Sequence, residues 1–122
     1  MISNQRLRFV LLLVLATALA GCRSYHIDAT VENRTGAAIK LLEVDYPSAS
    51  FGTDAMASGA DLHYRFQIRG SSAVKVQYSE AATHRQRQMT GPELFERQEG
   101  RLEIVLLPDG KAEFHPELSP RP

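Results

Sequence analysis

The strongest constraint on this chain is the alternation of apolar and polar residues in short runs. Leu62, Tyr64, Phe66 and Ile68 are interleaved with His63, Arg65 and Gln67, so an extended backbone would carry one apolar and one polar face. Tyr25, Ile27, Ala29 and Val31 alternate with polar residues over 25–33, as do Val74, Val76 and Tyr78 over 73–78. No stretch beyond residue 22 has the spacing of a long amphipathic helix. Sheets with one apolar face must bury it, and here the only available cover is another sheet.

Turn residues divide the chain into about seven strands. Asn33-Arg34-Thr35-Gly36 turns the first into a second over 38–46, whose parity changes between Leu41 and Leu42 and predicts a β-bulge there. The strands over 62–68 and 73–78 are followed by a polar run, 83–89. Its Arg85 and Arg87 suit the edge of a sheet, where charge discourages pairing with other chains. Thr90-Gly91-Pro92-Glu93 predicts a helix start, with one helical turn over 92–98. Pro108-Asp109-Gly110 predicts a β-turn joining strands over 101–107 and 111–115, and the proline-rich 116–122 reads as a loose tail. The expected fold is all-β, a small immunoglobulin-like antiparallel β-sandwich spanning 25–115, with a small β-barrel as the alternative. The likeness to immunoglobulin domains is architectural, because the chain has no Trp and one Cys and so lacks their Cys…Trp…Cys core.

With 14 Lys and Arg against 14 Asp and Glu, the 122 residues have zero formal net charge. Nucleic acid, which demands a basic footprint, is therefore not an expected partner. Residues 1–21 read as an export signal: Arg6 and Arg8 without an acid, then an apolar run over 9–20. Those twelve residues fall short of the roughly 20 that a membrane-spanning helix needs. The remaining 101 residues carry 12 basic and 14 acidic side chains, a net charge of −2. Cys22 is the only cysteine, so no internal disulfide can form.

Leu19-Ala20-Gly21-Cys22 resembles the lipobox of bacterial lipoproteins. That resemblance implies cleavage after Gly21, a diacylglyceryl group on the Cys22 thiol, acylation of the new amino group such as by palmitate, and residues 22–24 as anchor and tether. Several acyl chains, at about 0.8 kcal/mol per buried CH₂, make such attachment nearly permanent. In the Gram-negative sorting rule an Asp after the cysteine retains a lipoprotein at the inner membrane. Arg23 stands there instead, which implies the periplasmic face of the cell outer membrane if the source is Gram-negative; in a Gram-positive source the anchor would lie in the outer leaflet of the single membrane.

Candidate chemistry is sparse. His26, His63, His84 and His115 show no metal-binding spacing and fall by parity on polar faces or strand ends, where solvated or locally bonded rings are expected. No metal and no cofactor is therefore expected. There is no G-x-S-x-G elbow. Glu93, Glu96 and Glu99 would share one side of a short helix near Arg97 and Arg101, most simply as a solvated charged face. Asn33-Arg34-Thr35 matches a glycosylation acceptor but reads as a turn in a bacterial lipoprotein. Residues 47–61 are expected to form a long loop. In it Phe51 and Met56 either present a binding surface or, as the preferred reading, tuck into the core.

The stretches over 44–52, 64–70 and 101–118 resemble small bacterial lipoproteins of uncharacterised activity, a similarity that implies a β domain on a lipid anchor and no reaction. The expectation is a membrane-anchored, non-catalytic envelope module that binds another protein or supports an envelope assembly. A periplasmic small-ligand or enzyme-inhibitor module is the alternative, with a hydrolase behind both.

Overall fold

The computed structural model describes residues 24–121 and Asn4. The expected signal segment and Cys22 lie outside these residues, apart from Asn4. Eight strands follow in order: β1 (Ile27–Asn33), β2 (Ile39–Tyr46), β3 (Ala49–Met56), β4 (Asp61–Phe66), β5 (Ser72–Glu80), β6 (Gln86–Leu94), β7 (Glu99–Leu107) and β8 (Lys111–Ser119). They form two four-stranded sheets, ordered β4-β1-β7-β8 and β3-β2-β5-β6. The architecture is a β-sandwich. The barrel alternative is excluded, because the two sheets are separate and each ends in two edge strands.

Alternation produces the core. Ile27, Ala29 and Val31 of β1 and Leu102, Ile104 and Leu106 of β7 point into the sandwich. Val44, Val74, Val76 and Tyr78 meet them from the second sheet. All neighbouring strands pair antiparallel except β1 and β7, which run parallel with Ile27 opposite Gly100 and Asn33 opposite Leu106. A parallel pair needs a long connection. Here that connection is most of the protein, including the whole second sheet.

The bulge expected at Leu41 and Leu42 is present. The β2–β5 register shifts between Lys40 and Glu43, and Leu41 has φ 54°. The extra residue returns Leu42 and Val44 to the inner face and leaves Leu41 64% exposed.

The sandwich has eight strands where the turn residues predict about seven, and the parallel β1–β7 pair departs from the expected all-antiparallel pairing. Three further expectations need correction. Residues 47–61 are not a long loop: Pro47 and Ser48 turn directly into β3, which pairs with β2 from Tyr46 opposite Ala49 to Ile39 opposite Met56. The helical turn over 92–98 does not form. Pro92 and Glu93 finish β6 beside a register shift, and Glu93, Glu96 and Glu99 lie on β6, a turn and β7. Thr90, at the expected helix start, instead pairs with Lys75. Finally, β8 continues to Ser119, so 116–119 are strand and not tail. Pro92 and Pro116 both sit on edge strands, where a missing N–H costs the sheet least.

Asn33 joins the turns at one end. It is fully buried, and its Nδ2 donates to the carbonyls of Ala37 at 2.8 Å, Ala57 at 3.0 Å and Met56 at 3.4 Å. Its Oδ1 accepts from the Thr35 hydroxyl at 2.7 Å and the Thr35 N–H at 3.2 Å. This acceptor-like sequence is thus an interior lock between the β1–β2 and β3–β4 connections.

Candidate interaction site

The segment singled out for Phe51 and Met56 forms the outermost strand of its sheet. Both side chains point inward, 7% and 5% exposed, so neither is presented on a loop. Residues Ala49, Ser50, Gly52, Asp54 and Ala55 are exposed. One side of β3 pairs with β2 and the other pairs with no strand.

The four edge strands are not equally protected against further pairing. β6 contains Pro92, Arg87 and a bulge, β8 contains Pro116 and Lys111, and β4 is only six residues long and carries Arg65. β3 has eight residues with no Pro, Lys or Arg, and its only charge is Asp54. Short length, proline, basic residues and bulges are the usual means of blunting a sheet edge. On these criteria β3 is the most open edge of the sandwich.

An aromatic seam flanks it. Phe51 of β3 stacks on Tyr64 of β4 with ring centroids 4.6 Å apart, and Tyr46 stacks on Phe66 at 4.0 Å. Tyr64 points toward the core from an edge strand that nothing covers, which leaves it 43% exposed beside β3. Burial first, and then the neighbouring Tyr64 hydroxyl, raise the Tyr46 phenol above its ordinary pKa. An extended peptide lying along β3 would find backbone groups on one side and the Tyr64 ring on the other. This is the geometry of strand addition, where main-chain hydrogen bonds supply affinity and side-chain contacts supply choice.

Gly52 lets this strand lie close against β2. A Cβ there would fall on the carbonyl oxygen of Leu42, so only glycine lets β3 approach β2 so closely.

The outer faces are polar. On the first sheet the cross-strand rows read Arg65, Asp28, Arg101, Glu117 and His63, Thr30, Glu103, His115. Arg65 pairs with Asp28 at 3.7 Å and Arg101 with Glu117 at 3.4 Å, all exposed. His63 Nδ1 lies 3.1 Å from the Thr30 hydroxyl, and His115 Nε2 lies 3.2 Å from Glu113. Three of the four histidines take the solvated positions expected from parity. The fourth, His26, is half-buried with an unpartnered Nδ1. Among the described residues no group of three or more His, Cys, Asp or Glu side chains is placed to hold a metal ion.

On the second sheet, Glu43 shares a face with Asp45, whose hydrogen bond and charge hold the Glu43 carboxyl above its ordinary value. Glu80 shifts the other way. The Thr83 hydroxyl at 2.6 Å, followed by Arg87 at 3.0 Å, stabilises its ionised form. An open groove of about 770 Å³ runs between the β6 and β8 edges, lined by Pro92, Leu94, Gln98, Pro116 and Leu118 among others.

No family model matches the chain, and no curated protein matches it. A protein from Eubacterium rectale, solved by NMR, is similar in fold: TM-score 0.55 and 10% sequence identity, over 77% of this chain and 90% of that one. At that identity the likeness concerns the fold alone.

Proposed function

We propose that this chain is a lipid-anchored protein of the bacterial cell envelope whose β-sandwich is a non-catalytic protein-binding module. The observation that carries the binding role is the β3 edge, which is long, almost uncharged and flanked by the exposed ring of Tyr64. The lipobox-like Leu19-Ala20-Gly21-Cys22 supports the anchor, and Arg23 supports the outer membrane if the source is Gram-negative. Anchoring confines the module to a surface, which raises its effective concentration toward partners in the same envelope. An immunoglobulin-like classification belongs to the same proposal.

The test is photo-crosslinking in living cells with a photoreactive residue at Ser50 on the β3 edge or at Lys111 on the β8 edge, in the full-length protein. The expected result is one specific envelope protein captured from Ser50, not from Lys111, and lost when Thr53→Lys places a charge on the edge. Equal capture from both positions, or capture indifferent to Thr53→Lys, would defeat the edge-binding reading.

A further inference from the structure

The segments entering β1 and leaving β8 lie at the same end of the sandwich. Ile27 is level with Phe66 and Gly100, Gly100 is level with Leu118, and the His26 carbonyl accepts from the Gly100 N–H at 3.1 Å. The second sheet turns at that end too: the Arg69 N–H donates to the Ser48 hydroxyl at 3.3 Å, and Ser72 pairs with Leu94. The connections over 47–48, 67–71 and 95–98 therefore surround the start of β1. Those over 34–38, 57–60, 81–85 and 108–110 lie at the opposite end.

We infer that the end holding the 47–48, 67–71 and 95–98 connections lies against phospholipid headgroups, and that the opposite end points away from the membrane. The inference rests on lipidation of Cys22. Five residue-to-residue steps lead from Cys22 to Ile27, a path of at most about 18 Å. The nine residues of β7 span about 30 Å, so the sandwich is longer than its tether. The domain can tilt, but the tether is too short for it to stand inverted on its far end.

Charge agrees with this placement. The near-end connections and the carboxy-terminal segment carry Arg69, Arg97 and Arg121, all exposed, against Glu96 and, at the adjoining start of β7, Glu99. Arg23 lies in the tether sequence. Arginine suits phosphate because its planar fork donates two parallel hydrogen bonds. In this orientation β3 runs up the side of the domain, open to a partner standing on the same surface.

The absence of Trp makes single-Trp reporters clean. The experiment places the full mature protein, purified from membranes, in anionic phosphatidylglycerol vesicles containing headgroup spin-labelled lipid. Fluorescence is compared for Ser71→Trp at the near end and Ala82→Trp at the far end, with Gln67→Trp as a second near-end reporter should the first fail to fold. Strong quenching at Ser71→Trp and none at Ala82→Trp is expected, and the near-end quenching should weaken when Arg69→Glu and Arg97→Glu are added. Equal quenching at both ends on a lipidated protein overturns the orientation. Near-end quenching indifferent to the two charge reversals overturns the arginine contact. Intact mass separates these failures from that of the anchor: a mature protein without a diacylglyceryl adduct removes the lipidation reading and this inference with it.

Discussion

Removing the Asn33 side chain should cost far more than its place at the end of a strand suggests. Nδ2 has two protons for three carbonyls, so the 2.8 Å and 3.0 Å bonds to Ala37 and Ala57 count fully and the 3.4 Å contact to Met56 shares a proton. With the two bonds from Thr35 to Oδ1, about four hydrogen bonds are lost in Asn33→Ala. Each is worth about 0.5–1.5 kcal/mol net. Ala37 is exposed and can recruit water, whereas the contact to Met56 is buried and water does not readily replace it. The expected loss is about 2–4 kcal/mol, or a fall in Tm of roughly 10–25 °C for a domain of this size. Urea unfolding followed by far-UV circular dichroism would measure it as a lower midpoint at constant slope. Asn33→Asp keeps the shape but turns a carboxylate toward three carbonyls. Burial and those dipoles would raise its folded pKa, so its deficit should be smallest below about pH 3.9 and grow as pH rises through the raised value. A loss under about 1 kcal/mol for Asn33→Ala, or a pH-independent Asn33→Asp, would refute the assignment of Asn33 as the lock.

Gly52→Ala should destabilise by about 1–3 kcal/mol in urea unfolding, because the new methyl must push β3 away from the Leu42 carbonyl. Leu41→Gly should be neutral or stabilising by up to about 1 kcal/mol, since the left-handed backbone at φ 54° is relieved and an exposed side chain is lost. Leu41→Ile, β-branched at the same φ, should instead be less stable than the parent protein. An NMR titration should place Glu80 below its ordinary 4.5, because Thr83 and then Arg87 favour the carboxylate. The depressed folded pKa means that this contribution is present above the ordinary value and lost as pH falls through the lowered one. Glu80→Gln should accordingly flatten the acid limb of the stability profile.

Alternation in the sequence was a reliable guide where strands are half-buried, as in β1, β4, β5 and β7, because one face of each meets the core. The bulge at Leu41 was legible as a parity change, since only an extra residue returns Leu42 and Val44 to the same side. β3 was not legible. As an edge strand it buries Phe51 and Met56, five positions apart and of opposite parity, among small and polar residues that face water. The helix read into 92–98 failed because Thr90-Gly91-Pro92 offers a local start that pairing with β5 overrides. The openness of the β3 edge depends on strand order, and Asn33 depends on carbonyls more than twenty residues away. No local window of sequence contains either relation.

The parallel pairing of β1 with β7 has a kinetic side. Strands β2, β3, β5 and β6 can assemble as soon as residues 39–94 are available, but β1 lies between β4 and β7 and gains its second neighbour only when residues 100–106 arrive. A chain delivered from its amino terminus, as by a ribosome, therefore carries β1 half-paired until β7 has emerged. Contacts between distant residues slow folding. The same wiring that joins β1 to a strand distant in the sequence keeps the first sheet from closing early, while the second sheet is free to form.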